Sequence, residues 1–277
     1  MAHGKTIEMF LVEGTADGLV TAELSNWNGK AIRIPRTEVD ACQRDDIQGV
    51  GVYLLFCKDD NGADSVYIGE AENILKRLRQ HLNDYKNDKE QYYWSTAVCF
   101  VGADLNKALI RYLEWRLVDE TKKCGRYEVL TRATYGATVL KESQVASMEE
   151  FLGNIAVLLN ALGYRVLVPV KKTSSKTKIL NCVGNKAQAK GFVSPAGFIV
   201  MSGSTVSDHM ADHFTPDNHR YAALRVNLES DGTISNGTFT KDYEFSAPSA
   251  ASSVVLGRSS SGRKEWKAAD GTLLKDL

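Results

Sequence analysis

Residues 51–82 read GVYLLFCKDDNGADSVYIGEAENILKRLRQHL, and this stretch decides the fold of the first half of the chain. Residues 52–57 and 65–68 are runs of β-branched, aromatic and aliphatic side chains, separated by Asp60-Asn61-Gly62. Because Asn-Gly readily adopts the positive φ angles of a tight turn, the two runs are predicted to pair as an antiparallel hairpin. Gly69 is expected to end the second strand.

A helix is predicted directly after this hairpin. Residues 70–82 carry apolar side chains at the spacing of one helical face. Asn73, Arg77 and His81 recur every four residues, so they share another face of the same helix. The hairpin tyrosines and these polar residues can therefore converge on one cleft.

The triplets 51–53 (Gly-Val-Tyr) and 67–69 (Tyr-Ile-Gly), with the polar helix face that follows, resemble the signature of the GIY-YIG nuclease family. Members of that family cut nucleic acid with the help of a divalent metal. Taken singly, a strand tyrosine is more simply explained by packing and a helix arginine by solvation. The resemblance rests on the order of the whole set. It implies an α/β (α+β) nuclease module, a small antiparallel sheet flanked by helices.

A second helix is predicted over residues 106–118, with Asp104 or Asn106 as its cap and Gly125 at its end. Its apolar stripe places Glu114 at the border of the buried face. An isolated glutamate there is more simply explained by an ion pair with Arg111 or with a neighbour of Arg116. In the GIY-YIG pattern a Leu-Glu on this helix supplies the metal-binding carboxylate, so the resemblance implies that Glu114 binds Mg²⁺ or Mn²⁺.

The resemblance also implies catalytic roles for four side chains. Arg77 would bind the phosphate oxygens through its fixed fork of donors. Tyr53 would take the proton of the attacking water, directly or through a metal-bound water, and Tyr67 would position that water or the scissile phosphate. His81 would orient Tyr53 or relay a proton. Because a phenol of pKa about 10 is a poor base at neutral pH, Arg77 and the metal are expected to lower that pKa.

Further polar residues near the expected cleft are candidates for contacts with nucleic acid. They are Asn73, Lys76, Lys107, Arg111 and Arg132. Helix capping explains Asn73 equally well. Family members often carry an Asn shortly after the second helix, but residues 125–134 contain none. Either Thr131 or Arg132 supplies a phosphate contact in its place, or the role is vacant.

Composition favours a soluble globular protein. The 277 residues are 43% hydrophobic and 25% charged, and no apolar run approaches the length needed to span a membrane. The five cysteines are scattered without a CxxC pair, which suits the reducing cytoplasm and argues against zinc fingers. We therefore expect a cytoplasmic protein.

The partner indicated by the resemblance is nucleic acid, most simply double-stranded DNA, and the predicted function is metal-dependent endonucleolytic cleavage. A formal net charge of zero counts mildly against this partner. Residues 165–190 nevertheless contain Lys and Arg without any acidic residue, either as a solubilising linker or as a strip that contacts the backbone. The alternative function is a nucleic-acid-binding protein whose nuclease fold is catalytically idle.

The sequence divides into five regions. They are a β-rich N-terminal segment (1–45), the nuclease domain (46–135), a helical connector (136–170), a basic linker (171–188) and a β-rich accessory domain (189–277). The N-terminal segment has β-type runs separated by turns at 17–18 and 28–29. Residues 245–257 and 262–267 of the accessory domain resemble an uncharacterised domain often fused behind GIY-YIG nucleases. Its Trp266 either packs in a core or meets nucleic acid.

Overall fold

The computed structural model describes residues 4–58, 64–132, 138–169 and 177–277. The chain forms two compact units, Met1–Pro169 and Val170–Leu277. Within the described ranges, no helix combines the length and the apolar character needed to cross a bilayer.

The first unit is built on one seven-stranded sheet. Its strands are β1 (Ile7–Leu11), β2 (Val20–Leu24), β3 (Gly29–Pro35), β4 (Gly51–Lys58), β5 (Asp64–Ala71), β6 (Trp94–Gly102) and β7 (Glu128–Val129). Its helices are α1 (Ile74–Lys86), α2 (Lys107–Cys124) and α3 (Glu142–Ala161), with short 3-10 turns at Arg36–Glu38 and Asp45–Ile47. The spatial order is β1-β2-β3-β6-β4-β5-β7. All neighbours are antiparallel except the short parallel pair of β5 and β7.

The predicted antiparallel pairing is present between β4 and β5, and β4 lies between β6 and β5 in the sheet. Strand β4 is buried along its whole length except at Lys58, because helices cover both faces. Val52, Leu54 and Phe56 join the core under α2 and α3. Tyr53 and Leu55 point to the opposite face, where they pack with α1. The period of two in the sequence therefore separates the two cores, and the first tyrosine belongs to the α1 side.

The boundary between the hairpin and α1 differs from the sequence prediction. Strand β5 does not end at Gly69 but continues to Ala71, since these residues still pair with the start of β4. Helix α1 begins at Ile74, and the Asn73 side chain accepts a 2.9 Å hydrogen bond from the Lys76 N–H. The predicted turn at residues 60–62 lies outside the described residues.

The second predicted helix is confirmed as α2. Of the two candidate caps, Asn106 is the one used, and its side chain accepts hydrogen bonds from the N–H groups of Ala108 and Leu109 at 3.1 and 3.2 Å. Gly125 ends the helix with a φ of 65°, a left-handed conformation that costs glycine little. Helix α3 packs beside α2 on β2 and β3, so the segment expected as a connector is part of the core.

The N-terminal strands belong to the same sheet as the hairpin. Strand β3 pairs with β6 over seven residues, from Gly29 opposite Gly102 to Pro35 opposite Thr96. The turn between β2 and β3 lies at residues 25–26, three residues before the predicted position, and Asn26 there adopts the left-handed conformation with a φ of 62°. Gly29 is the first residue of β3 instead.

The second unit has its own sheet and core. Its strands are β8 (Leu180–Val183), β9 (Gln188–Ser194), β10 (Gly197–Val200), β11 (Ile234–Ser235), β12 (Thr238–Phe239) and β13 (Tyr243–Phe245). Its helices are α4 (Arg220–Ser230), α5 (Pro248–Leu256) and α6 (Gly262–Glu265), followed by a 3-10 turn at Leu274–Asp276. The main sheet runs β13-β10-β9-β8, and β11 and β12 form a separate hairpin.

One alternative that the sequence leaves open is decided in this unit. Trp266 is a core residue, fully buried, with its indole N–H donating to the Pro248 carbonyl at 3.0 Å. Strand β8 lies inside the stretch 171–188 that composition predicts as a linker. The lysine-rich composition of residues 171–188 did not indicate this strand. The four strand residues are themselves apolar or neutral, and the lysines lie on either side of them.

Candidate active site

Three side chains from β4 and α1 form a hydrogen-bonded group. The Tyr53 hydroxyl lies 2.8 Å from His81 Nε2 and accepts a hydrogen bond from Arg77 Nε at 3.2 Å. Arg77 and His81 reach the same hydroxyl because they are one helical turn apart on α1. The shared face predicted from their spacing is therefore present, whereas Asn73, one turn earlier, caps the helix.

Tyr67 of β5 completes the aromatic wall of the site. Its ring stacks on Tyr53 at a centroid distance of 6.2 Å and meets His81 edge-on at 5.1 Å. Arg77 also hydrogen-bonds Tyr67, so one guanidinium holds both phenols. Tyr67 is partly exposed, while the Tyr53 side chain is only 1% exposed. The two phenols and the guanidinium thus converge as the sequence predicts, and Tyr67 is the phenol nearer solvent.

Burial controls the protonation of Tyr53. It raises the pKa of the phenol well above 10, the neighbouring Tyr67 adds to the rise, and Arg77 opposes it. The sequence-based expectation of a lowered pKa is therefore wrong for the protein alone, because desolvation outweighs the guanidinium. At neutral pH Tyr53 is a neutral phenol that carries one proton to donate.

The Glu114 side chain of α2 is buried, and one of its carboxylate oxygens is unpartnered among the described residues. It is 6% exposed, and its Oε2 has no hydrogen-bond partner among the described residues. Burial, with a further rise from the charge of Glu70, raises its pKa to about 7. Lys107 and Arg111 act in the opposite direction. Arg116 on the same helix binds Glu149 at 2.6 Å and Glu120 at 2.9 Å.

Glu70 is a site residue that the sequence reasoning missed. Its side chain lies at the end of β5, 6% exposed, and accepts a 2.9 Å hydrogen bond from Lys107 Nζ. Arg111 Nε lies 3.9 Å from its other oxygen. Lys107 and Arg111, both predicted to contact nucleic acid, thus lie close to the Glu70 carboxylate. In the sequence, Glu70 could have been recognised as a candidate from its position directly after the Tyr-Ile-Gly triplet.

The donor set fits a hard divalent cation. Among the described residues no group of three or more His, Cys, Asp or Glu side chains is placed to hold a metal. Mg²⁺ does not need such a cage, because it keeps several waters and binds through one or two carboxylates plus substrate phosphate. The unpartnered Oε2 of Glu114, beside a second carboxylate at Glu70, provides the oxygen that such an ion requires.

The remaining predicted contacts occupy the surroundings of the site. Lys76 is exposed on α1, and Arg132 is exposed beside Tyr67 on a cleft of about 640 Å³. Thr131 is buried, and its hydroxyl accepts from the Ile68 N–H and donates to the Ile68 carbonyl, both at 2.8 Å. Thr131 thereby extends the edge of β5, whereas the Arg132 side chain is exposed.

Two more residues near the tyrosines were not predicted. Tyr92 stacks on Tyr67 at 5.7 Å with ring planes 16° apart. Glu90 Oε1 lies 2.5 Å from His81 Nδ1. Both residues come from the loop after α1, which has neither helical nor strand periodicity, so no pattern in the sequence marks them.

Comparison with protein families finds a match in two regions of the chain. Residues 49–128 match the GIY-YIG catalytic domain, and residues 180–277 match a domain of unknown function (DUF4357). The resemblance deduced from the motifs is therefore confirmed in both regions. No curated protein and no solved structure gives a significant match to this chain. The catalytic-domain match supports a nuclease-type fold, and it covers both tyrosines, Arg77, His81 and Glu114.

Proposed function

We propose, from the premise that residues 49–128 form a GIY-YIG catalytic domain, that this protein is a divalent-metal-dependent endonuclease that hydrolyses phosphodiester bonds in DNA. One observation carries the proposal. Arg77 links two phenols from neighbouring strands, in an environment where a buried carboxylate, Glu114, has an unpartnered oxygen.

The chemistry follows from what phosphodiester hydrolysis requires. Negative charge grows on the non-bridging and leaving oxygens as water attacks phosphorus, and fixed cationic donors stabilise that charge. Arg77 supplies a guanidinium whose positive charge is permanent at any working pH. A divalent cation bound by Glu114 would act as a Lewis acid on the phosphate. Tyr67, the more exposed phenol, would orient the attacking water or the phosphate.

Ligand binding would also resolve an electrostatic cost in the free protein. The pKa of Glu114 is raised to about 7 because a buried carboxylate next to Glu70 is poorly stabilised as an anion. A cation held by Glu114 beside Glu70 would compensate the charge of both carboxylates. Lys107 and Arg111, which now lie against Glu70, would then be available to the phosphate backbone.

The nucleic acid would run along the open side of Tyr67. The cleft of about 640 Å³ beside this ring is lined by Lys89, Arg132 and Tyr92, among others. Basic side chains bind the phosphates, and an exposed aromatic face can support a base. This cleft lies on the side of β5 where the ladder to β7 is only two residues long.

The direct test uses supercoiled plasmid with Mg²⁺, with Mn²⁺ and with EDTA. We expect wild-type protein to produce nicked and linear DNA only with a metal. Glu114→Ala should reduce cleavage by roughly 10²-fold or more, since it removes the carboxylate anchor of the metal. Glu150→Ala, which deletes an exposed carboxylate on α3, serves as the matched control and should cleave normally.

The same gel distinguishes the proposed endonuclease from the alternative function, a catalytically idle nucleic-acid-binding protein. DNA that is retarded but intact with every metal would overturn the endonuclease and select an idle nucleic-acid-binding protein. Cleavage by Glu114→Ala at the wild-type rate would remove this residue from the mechanism. Circular dichroism of each variant establishes that the fold is intact.

A further inference from the structure

Glu90 and His81 form the inner part of a hydrogen-bonded chain that ends at Tyr53. His81 is fully buried, with Nδ1 2.5 Å from Glu90 Oε1 and Nε2 2.8 Å from the Tyr53 hydroxyl. The Glu90 side chain is 14% exposed. A short loop creates this arrangement: Asp88 adopts the left-handed conformation after α1, and the N–H of Lys89 then bonds the Asp84 carbonyl at 2.9 Å. Glu90 is thereby turned back against the helix that carries His81.

The direction of each hydrogen bond in the chain can be deduced. Arg77 can only donate, so the Tyr53 oxygen accepts from it. The Glu90 carboxylate can also only accept, so His81 Nδ1 carries the proton that it receives. A neutral imidazole protonated on Nδ1 has a bare Nε2, which accepts the single phenol proton of Tyr53. The chain therefore runs from Tyr53 to His81 to Glu90.

Glu90 also has an unsatisfied atom. Its second oxygen, Oε2, is buried and has no hydrogen-bond partner among the described residues. A buried carboxylate that accepts a single hydrogen bond has a poorly compensated negative charge beside a neutral imidazole. It is better balanced beside an imidazolium, whose positive charge compensates the whole carboxylate. The pair is thus arranged to stabilise His81 in the form that has gained a proton.

We propose that Glu90 is a positioning residue that holds His81 as the Nδ1–H tautomer, so that His81 receives the Tyr53 proton when Tyr53 accepts one from the attacking water. This inference rests on the proposed endonuclease function. The proton balance is closed. The water proton moves to the Tyr53 oxygen, the original phenol proton moves to His81 Nε2, and the hydroxide forms a bond to phosphorus as the bond to the leaving oxygen breaks.

This relay explains how a phenol with a raised pKa can serve in base catalysis. No free phenolate needs to accumulate, because Tyr53 gives away one proton as it takes another. The charge produced in the enzyme resides on His81, against Glu90. General-base assistance of this kind typically contributes about 10²–10⁴ to a rate.

The first experiment measures the tautomer without any substrate. In ¹⁵N-labelled wild-type protein, long-range ¹H–¹⁵N correlation spectra should show His81 with its proton on Nδ1 and at low field. Glu90→Gln should move that proton signal upfield, since a neutral amide is a weaker acceptor. A proton found on Nε2 of neutral His81 in wild type would overturn the inference, whether or not the protein cleaves DNA.

The second experiment is kinetic. Glu90→Gln keeps the shape of the side chain and removes its charge, so kcat should fall by about 10- to 100-fold with KM unchanged. Glu90→Asp, which restores the charge, should recover part of kcat. Glu142→Gln removes an exposed charge at the start of α3 and should match wild type. A normal kcat in Glu90→Gln would overturn the relay.

Failure of the proposed endonuclease function and failure of the relay give different results. Wild-type protein that never cleaves DNA would overturn the proposed function and the catalytic part of the relay. The tautomer measurement would still decide whether Glu90 positions His81. Cleavage by wild type together with an unaffected Glu90→Gln variant would overturn the relay alone and leave the endonuclease intact.

Discussion

Tyr53 and Gly69 face each other across the β4–β5 hairpin, and the Tyr53 hydroxyl occupies the space where a side chain of Gly69 would begin. A β carbon added to Gly69 would lie 2.4 Å from that hydroxyl oxygen and 2.5 Å from the ring carbon that bears it. The glycine of the second triplet is therefore required by close approach. It lets the first tyrosine lie across the neighbouring strand and reach His81.

Gly69→Ala should therefore displace Tyr53. Overpacking of a buried site costs about 1–3 kcal/mol, so the free energy of unfolding should fall by this amount and cleavage should drop with it. Gly153→Ala is the matched control, because nothing lies within 4 Å of the added carbon on this exposed helical position. That variant should instead gain roughly 0.5–1 kcal/mol. Calorimetry of both variants would contradict the prediction if the two shifts had the same sign.

Local sequence patterns were sufficient for the elements that carry the site. The hairpin alternation and the four-residue spacing of Arg77 and His81 are local properties, so they predicted β4, β5, α1 and the convergence on Tyr53. The caps Asn106 and Gly125 were predictable for the same reason. The end of β5 was not, because pairing with β4 continues beyond Gly69 and overrides the tendency of glycine to end a strand.

The electrostatic surroundings of the site depend on tertiary structure. The raised pKa of Tyr53 comes from burial between layers, which the residue's neighbours in sequence do not reveal. Glu90 reaches His81 only because one residue of the intervening loop is left-handed. Glu70 meets Lys107 from α2 across the sheet edge. Each of these contacts joins segments that no periodic pattern connects.

Arg77→Lys should impair catalysis although it preserves the charge. The lysine ammonium cannot hold both phenols and a phosphate with the fixed fork of a guanidinium. Loss of a charged hydrogen bond is worth about 1.5–3 kcal/mol, so kcat should fall roughly 10- to 100-fold. Arg79→Lys on the same helix is the control, since Arg79 contacts only the backbone of Asp40 and Cys42 among the bonds described. Equal kcat values for the two variants would refute a special role for Arg77.

The five cysteines should be present as unreactive thiols. All five are free and buried. Burial raises the pKa of Cys57 and of Cys182 to about 12, and it raises that of Cys99 further. Because only the thiolate reacts with Ellman's reagent, native protein at pH 8 should react slowly. In guanidinium all five should react at once.

A variant with an accessible thiol calibrates this assay. Ser25→Cys places a sixth cysteine in the exposed turn between β2 and β3, and one thiol should then react rapidly in the native protein. Fast reaction of several thiols in wild-type native protein would contradict the burial. Fewer than five thiols in denaturant would reveal a disulfide and contradict the free state of these residues.

Deprotonation of Glu114 should make the metal-free protein less stable at higher pH. Burial raises the pKa of this carboxyl from 4.5 to about 7. The folded protein thus binds the proton more tightly than the unfolded chain does. Its contribution to stability is complete below about pH 4.5 and is lost as the pH rises through about 7. The rise of this pKa from 4.5 to about 7 corresponds to a total loss of about 3 kcal/mol.

Glu114→Gln removes this titration, so the Tm of the variant relative to wild type should increase between pH 4.5 and pH 8. For the unit Met1–Pro169 the expected change is about 6–12 °C, measured by calorimetry in EDTA. Glu150→Gln, an exposed carboxylate, should show no comparable trend. Adding Mg²⁺ should then stabilise wild type at pH 8 but not Glu114→Gln, because only the carboxylate can bind the ion. A constant Tm difference across this pH range would mean that Glu114 remains an ordinary, solvated anion, and the metal site would have to be sought elsewhere.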